Sequence, residues 1–105
     1  MLKLRIDGFD WDEGNREKCQ NHGISIAEIE DVFSKDPRVA PDMEHSANED
    51  RLLAVGRTNK GRPVFVAFTL RTKKGLRLIR PVSARYMHYK EIAAYEEESA
   101  KTEDR

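Results

Sequence analysis

The sequence has a single cysteine, Cys19, and no apolar run long enough to cross a lipid bilayer. One cysteine excludes an internal disulfide and favours a reducing compartment. A spanning helix needs about 20 consecutive apolar residues. Residues 1–14 also lack the apolar stretch and the small-residue cleavage site of a secretory signal. We therefore expect a cytoplasmic protein that makes no membrane contact.

The chain also lacks internal repeats and Pro- or Gly-rich linkers, so nothing divides its 105 residues into separate domains. Hydrophobic residues make up 38% of the chain and charged residues 36%. This balance predicts a modest core under a highly charged surface. We expect a single compact domain over residues 1–98 and a frayed tail over residues 99–105.

Acidic residues are absent from residues 51–90, which carry 11 Lys and Arg. Residues 1–50 carry 6 basic against 13 acidic residues, and residues 91–105 carry 2 against 6, so the net charge of zero hides a strong division. A wholly basic block of this length is typical of a surface for an anionic partner. The alternative is a set of strands that face solvent with Lys and Arg, although such strands usually contain some Asp or Glu as well.

The N-terminal half shows the signals of a short strand and two helices. Residues 2–7 alternate between apolar and charged side chains, as a half-buried strand does. Residues 9–23 predict a helix that Asp10 or Asp12 can cap. A second helix follows, because Ser25 and Glu28 have the spacing of a capping box.

Three strand candidates follow, RLLAVGRT, RPVFVAFTL and LRLIRPVSAR, and each intervening turn contains a glycine. They predict an antiparallel meander with the second strand buried at its centre. Pro81 in the last strand requires an edge position or a bulge, and a bulge would change which arginines share a face.

A weak strand at PRVAPD and a closing helix from about Met87 or His88 to Glu98 complete the order β-α-α-β-β-β-β-α. The expected fold class is therefore α+β, with two N-terminal helices, a twisted antiparallel sheet meander and a C-terminal helix.

Arginines are concentrated in residues 76–90, which contain Arg77, Arg80 and Arg85 with no nearby acid in the sequence. We expect these arginines to be unpaired within the chain and to bind a phosphate. The planar guanidinium holds phosphate oxygens bidentately and stabilises charge that builds on phosphorus during RNA cleavage. The alternatives are solvated strand arginines, or ion pairs with the acidic N-terminal half.

Arg57 is a further phosphate-binding candidate on an earlier strand. Gly56 precedes it, and its missing side chain would let the backbone of a partner approach.

Three histidines, His22, His45 and His88, are candidates for proton transfer. We favour His88, which follows the arginine-rich strand, whereas a histidine at the position of His22 commonly contacts the last carbonyls of a helix. Tyr86 and Tyr89 could stack on RNA bases. The histidines lack metal-ligand spacing and no nucleotide-binding glycine motif occurs, so we expect no metal and no cofactor.

The ordered set FDWDEGNREKCQNHGIS, VF, DP, EHS, EDR, GR, SAR and E…YE resembles the BrnT toxin family over about Phe9 to Glu97. The resemblance implies a compact RelE/ParE-like fold and the toxin half of a type II toxin–antitoxin pair. It also implies ribosome-independent RNA cleavage that inhibits translation and growth. The implied partner is a BrnA-type antitoxin with a ribbon-helix-helix domain, and DNA is bound only through the complex of both proteins.

The resemblance carries the family pattern onto these positions: Trp11, Lys18, His22, Gly23, His45, Arg51, Arg57, Ser83, Ala84 and Arg85. Together with the basic block it predicts a metal-independent endoribonuclease. The candidate catalytic residues are Arg57, Arg77, Arg80, Arg85, His88, Tyr86 and Lys18, and the candidate RNA-binding residues are Arg51, Arg62, Tyr89, His45 and His22. The alternative function is a non-enzymatic module, or a degenerate toxin, that only binds an antitoxin and nucleic acid in an operon-repressing complex.

Overall fold

The fold is described for residues 5–42 and 50–103 of a computed structural model, and side chains for residues up to 98. The predicted order of elements and the α+β class are confirmed. None of the helices in these two ranges is long and apolar enough to cross a membrane. The elements are β1 (Gly8–Phe9), α1 (Glu13–Cys19), α2 (Ile26–Ser34), β2 (Arg38–Pro41), β3 (Leu52–Arg57), β4 (Pro63–Lys73), β5 (Leu76–Tyr86) and α3 (Tyr89–Glu103).

The first helix is shorter than the predicted residues 9–23, and Asp12 rather than Asp10 caps it. The Asp12 carboxylate accepts a hydrogen bond from the Asn15 amide at 3.0 Å, and the Asn15 side chain accepts one from the Asp12 amide at 2.7 Å. Asn15 also donates to the carbonyl oxygens of Asp10 and Pro81, both at 2.9 Å. One buried amide side chain therefore fixes the start of α1 against β5.

The predicted capping box at the start of α2 is confirmed. The Ser25 hydroxyl accepts from the Glu28 amide at 3.1 Å, and the Glu28 carboxylate accepts from the Ser25 amide at 3.0 Å. Ile24 and Ile29 flank this box and both are buried, which ties the helix start to the core.

The sheet has the order β1-β5-β4-β3-β2. Strands β2 to β5 are antiparallel, whereas β1 pairs with β5 in parallel, with Gly8 opposite Leu78 and Phe9 opposite Ile79. In the described ranges the first strand begins at Gly8, after the predicted residues 2–7, of which residues 2–4 lie outside those ranges. Alternation of apolar and charged residues indicates a half-buried strand, but it does not show which residues pair with the edge of the sheet. At the other end of the chain, α3 extends five residues beyond its predicted end at Glu98.

Strand β4 is the buried centre of the sheet, as predicted. Its residues Val64, Val66 and Phe68 pack with Ile29 and Val32 of α2 in the core. We call this side of the sheet the back face. The opposite side, which carries Leu53, Phe65 and Ala67, is the front face.

A bulge interrupts β5 next to Pro81, as the sequence indicated. Ala67 pairs with Ser83 and Phe68 pairs with Pro81, which leaves Val82 as the extra residue. Directly paired residues share a face of the sheet. The bulge therefore places Ser83 and Arg85 on the front face, whereas regular alternation would have kept Arg85 on the same face as Pro81.

Gly56 provides close packing inside the chain. A Cβ atom at this position would lie 3.1 Å from Val32 Cγ1 and 3.2 Å from Pro37 Cβ. The space at Gly56 is thus occupied by α2 and the segment after it, and the expected approach of a partner's backbone at this position is wrong.

Candidate active site

A surface pocket of about 420 Å³ lies on the front face of the sheet, beside the C-terminal part of β5. A pocket of this size can hold a nucleotide-sized ligand. Its lining combines an apolar floor with a polar rim. The floor consists of Leu53, Phe65, Ala67 and Ala84, and the rim of His22, Asp42, Arg51, Ser83 and Arg85.

Four parts of the chain build the polar rim. The β5 bulge turns Ser83 and Arg85 to the front face. Asp42 follows β2 and Arg51 precedes β3, and the Asp42 amide donates to the Arg51 carbonyl oxygen at 2.8 Å. His22 reaches the rim from the turn between α1 and α2.

Arg85 is held in place by two kinds of contact. Its guanidinium lies 4.6 Å from the centre of the Phe65 ring, a favourable cation–π arrangement. Its Nη1 and Nη2 atoms each donate to one carboxylate oxygen of Glu91, both at 2.8 Å. The hydrogen bonds from Arg85, and then one from the His88 amide, lower the pKa of Glu91 to about 2. Glu91 therefore remains ionised at any physiological pH.

Arg57 lies on the front face beside α3. It donates to the Gly61 carbonyl oxygen at 2.7 Å and to Glu96 at 3.0 Å. The Tyr95 ring of α3 lies 5.4 Å from the Arg57 guanidinium and 5.1 Å from that of Arg38. Helix α3 thus contacts several front-face arginines through its acidic and aromatic side chains.

Arg80 has a different environment from Arg85. Its guanidinium lies 2.7 Å from an Asp12 oxygen and 3.5 Å from an Asp10 oxygen. The hydrogen bond from the Asn15 backbone, and then the one from Arg80, lower the pKa of Asp12. Arg80 therefore pairs with the acidic N-terminal half, which was the alternative interpretation of these arginines.

The expectation that the arginines of residues 76–90 lack partners within the chain is wrong for Arg80 and Arg85, because each of them forms an ion pair, as Arg57 does as well. Arg80 and Arg57 pair with acids that are distant in sequence, Asp12 and Glu96. Glu91, by contrast, lies six residues after its partner Arg85. Arg77 is exposed near the start of β5, roughly 25 Å along the strand from Arg85 at about 3.3 Å per residue. These four arginines do not meet at one phosphate.

Tyr86 and Arg62 form a separate cluster. The Tyr86 hydroxyl donates to a Glu28 oxygen at 2.8 Å, and the Arg62 guanidinium lies 3.4 Å from the centre of the Tyr86 ring. Burial, followed by the contact with Glu28, raises the pKa of Tyr86. Both residues line another pocket, with Ser25 and Lys60. Tyr86 pairs with Val64 of the back face, so its side chain lies on the opposite side of the sheet from that of Arg85.

Three more candidates, His88, Tyr89 and Lys18, are described by the structure and do not line the front-face pocket. His88 is exposed, and its backbone amide donates to Glu91 at 2.8 Å at the start of α3. Tyr89 is 79% exposed, and Lys18 is exposed on α1. His45 lies outside the described residues.

Cys19 is buried, and burial raises the pKa of its thiol to about 11. A thiol in this state is a poor nucleophile, and Cys19 packs in the hydrophobic core.

The sequence interpretation missed two residues of this region, Asp42 and Glu91. Asp42 gave no signal, because its place on the rim depends on the pairing of β2 with β3. Glu91 did give a signal. It stands three residues after His88, the spacing at which a carboxylate caps a helix start.

The pocket can bind an anion and exchange a proton. Arg51 and Arg85 supply positive charge, and His22 supplies an imidazole, a group that serves in general acid–base catalysis. The described ranges include no group of three or more His, Cys, Asp or Glu residues that could hold a metal ion. The chemistry that fits these residues is catalysis at a phosphodiester.

Comparison with protein families shows which family this chain belongs to. The sequence model of a family described as "Ribonuclease toxin, BrnT, of type II toxin-antitoxin system" matches residues 11–91. The chain belongs to the BrnT family. The matched range contains all the residues that line the front-face pocket, and it ends at Glu91. None of the curated proteins compared with the chain matches it.

Membership of the BrnT family confirms the resemblance on which the sequence interpretation relied. The family consists of ribonuclease toxins of type II toxin–antitoxin systems, so RNA is the substrate class and an antitoxin is the partner that membership implies. The α+β order of the described elements is compatible with the RelE/ParE-like fold that the resemblance implied.

Proposed function

We propose that this BrnT-family chain is an endoribonuclease that cleaves RNA without a metal ion at the front-face pocket, and thereby inhibits translation and growth. The observation that carries the proposal is the convergence of His22, Arg51 and Arg85 on one pocket. These three residues come from the α1–α2 turn, the start of β3 and the end of β5, and only folding brings them together.

The reaction that suits these groups is attack of an RNA 2′-hydroxyl on the adjacent phosphorus. A bond forms between the 2′-oxygen and phosphorus, and the bond from phosphorus to the 5′-oxygen breaks. The 2′-hydroxyl gives up a proton, and the leaving 5′-oxygen takes one. Arg51 and Arg85 stabilise the additional negative charge on the phosphate oxygens, and His22 transfers protons.

His22 replaces His88 as our preferred proton-transfer residue. His22 lines the pocket, whereas His88 is exposed at the start of α3. In this proposal Tyr89, which is 79% exposed, stacks on a base beyond the pocket. Lys18 and Arg62 contact phosphates along the bound strand.

The proposal includes a BrnA-type antitoxin with a ribbon-helix-helix domain as the partner that neutralises the toxin in the cytoplasm. DNA is then bound only through the complex of toxin and antitoxin. Support for the antitoxin comes from membership of a type II toxin family.

A second candidate function is binding without cleavage. It is favoured by two ion pairs in this structure. The Glu96 carboxylate lies 3.0 Å from the Arg57 guanidinium, and the Glu91 carboxylate lies 2.8 Å from the Arg85 guanidinium. A basic face that accepts carboxylates could hold an acidic antitoxin segment instead of RNA.

Incubation of the purified protein with total RNA in excess EDTA separates the two functions. We expect cleavage by wild type and by Arg77→Ala, and a loss of about 100-fold or more for Arg85→Ala. Arg77→Ala is the matched control, because it removes an exposed arginine from the same strand. Circular dichroism must show that all three proteins are folded. Absence of cleavage by folded wild type would support the binding module.

A further inference from the structure

Glu91, near the start of α3, binds the Arg85 guanidinium, which is the group that the proposed mechanism assigns to the substrate phosphate. We propose that α3 is a built-in competitor of RNA, with the Glu91 carboxylate seated on Arg85 where a phosphate binds, and that RNA displaces it. This inference rests on the proposed phosphate-binding role of Arg85, and it adds regulation to that site.

The contact between Glu91 and Arg85 has the form of a phosphate contact. Two oxygens of one anionic group accept from Nη1 and Nη2, both at 2.8 Å. Arginine binds phosphate oxygens with the same paired geometry. A phosphate therefore cannot use this edge of the Arg85 guanidinium while Glu91 remains on it.

A second anchor holds α3 to the same basic face. Glu96 accepts from Arg57 at 3.0 Å, and the guanidinium groups of Arg57 and Arg38 lie 5.4 Å and 5.1 Å from the centre of the Tyr95 ring. These contacts lie about one turn beyond Glu91. The acidic side of α3 thus covers arginines that carry part of the positive charge of the front face.

Both anchors are open to water, so a polyanion can reach them. The side chains of Arg85 and Glu91 are 39% and 31% exposed, and those of Arg57 and Glu96 are 38% and 57% exposed. The single contact between Arg57 and Glu96 contributes little to stability, and a phosphate can replace Glu91 in the paired hydrogen bonds to Arg85. A strand of RNA offers several phosphates to the same face and gains from releasing its counterions.

Protonation cannot open this contact in the cell. The pKa of Glu91 is lowered to about 2, so its charge is retained at physiological pH. A competing anion is therefore required to free Arg85, which makes RNA itself, rather than acidity, the agent that displaces α3.

The alternative role for Glu91 is a purely structural cap, since its Oε1 atom also accepts from the His88 amide at 2.8 Å. Glu91→Gln separates the two roles. Glutamine retains an oxygen that can accept from this amide, and it removes the negative charge that competes with phosphate.

Binding of a fluorescent 2′-O-methyl RNA oligonucleotide, which cannot be cleaved through its 2′-oxygen, tests the competition by anisotropy. We expect Glu91→Gln to bind with a Kd about fivefold below that of wild type, because the open state is more populated. Glu17→Gln on α1 removes an equal charge far from the pocket, and its Kd should change less than about twofold.

A double variant tests whether the gain acts through Arg85. In the Arg85→Ala background, the further change Glu91→Gln should give no gain in affinity. A Kd for Glu91→Gln equal to or above that of wild type would overturn the proposal. So would a gain that persists in the absence of Arg85.

Glu96→Gln provides a second test that leaves the start of α3 intact. It should also tighten RNA binding, by a smaller factor than Glu91→Gln. If thermal unfolding shows that Glu91→Gln is unfolded, Glu96→Gln decides the outcome alone, and an unchanged Kd for it would overturn the proposal.

Cleavage assays on the same proteins distinguish this inference from the proposed function. Tighter binding by Glu91→Gln without cleavage by any variant would reject the ribonuclease and keep the competition. Cleavage by wild type with no gain in binding or rate for Glu91→Gln would keep the ribonuclease and reject the competition.

Discussion

Arg80 and Arg85 lie on the same strand, on either side of the Val82 bulge, and they have different roles. Arg80 joins Asp10 and Asp12 at the start of α1, so it connects the sheet to the N-terminal helix. Arg85 lies over Phe65 in the pocket and forms an ion pair with Glu91. Charge density along a strand therefore does not distinguish these two arginines, whereas the groups that surround each guanidinium do.

The largest expected effect is on the rate of RNA cleavage and concerns His22 in the front-face pocket. His22→Gln should lower the rate of RNA cleavage by about 100-fold, because general acid–base catalysis contributes at least that much. His88→Gln, outside the pocket, should retain cleavage within about twofold of wild type. Initial rates on one RNA oligonucleotide measure both. Equal losses of cleavage rate in the two variants would contradict the assignment of proton transfer to His22 rather than to His88.

The next largest effect is on the free energy of unfolding and concerns Asn15, which joins α1 to β5. Asn15→Ala should lower the free energy of unfolding by about 2 kcal/mol, because it removes a helix cap and leaves the buried carbonyl of Pro81 without its donor. Urea unfolding measures the change. The specific activity of the folded fraction should be retained, and a selective loss of cleavage at unchanged stability would contradict a structural role.

Arg80→Ala tests whether Arg80 serves stability while Arg85 serves cleavage. We expect a lower midpoint of thermal unfolding, because Asp10 and Asp12 lose their partner, together with retained cleavage. Arg85→Ala should show the opposite pattern, with cleavage lost and the midpoint little changed. Calorimetry and RNA cleavage on both variants provide the four values. The same pattern in both variants would show that the two arginines are equivalent.

The smallest effect is a pH dependence of stability. Arg85 and the His88 amide lower the pKa of Glu91 from 4.5 to about 2. The stabilisation from ionised Glu91 is therefore present above about pH 4.5 and is lost as the pH falls toward 2. Glu91→Gln lacks this ionisable carboxylate, so its stability does not depend on pH through this group. The difference in stability between wild type and Glu91→Gln should therefore shrink as the pH falls from about 4.5 toward 2. Thermal unfolding at pH 6, 4 and 3 measures it, with Glu17→Gln as the control. A difference that stays constant would contradict the assigned ion pair.

Local signals predicted most of the fold. The Ser25 capping box, the buried centre of β4 and the irregularity at Pro81 depend on residues close together in sequence. The bounds of β1 and α1 were less accurate, because pairing at the β5 edge decides where β1 forms and Asn15 decides where α1 starts.

The candidate site was less predictable, since its contacts join distant parts of the chain. His22 and Arg85 meet only after the sheet forms, and Arg80 finds Asp12 in the acidic half. The acid-free block ends at Lys90, one residue before the carboxylate that pairs with Arg85. A count of charges within a segment therefore suggested unpaired arginines where folding supplies partners.

The most direct test of the central claim is the chemistry of cleavage on a single RNA oligonucleotide in EDTA, with 2′-deoxy substitution at the cut site. The proposed mechanism predicts products with a 2′,3′-cyclic or 3′ phosphate and a 5′-hydroxyl, and no cleavage at the substituted position. Products with a 5′ phosphate, or cleavage that survives the 2′-deoxy substitution, would contradict attack by the 2′-hydroxyl at the pocket of His22, Arg51 and Arg85.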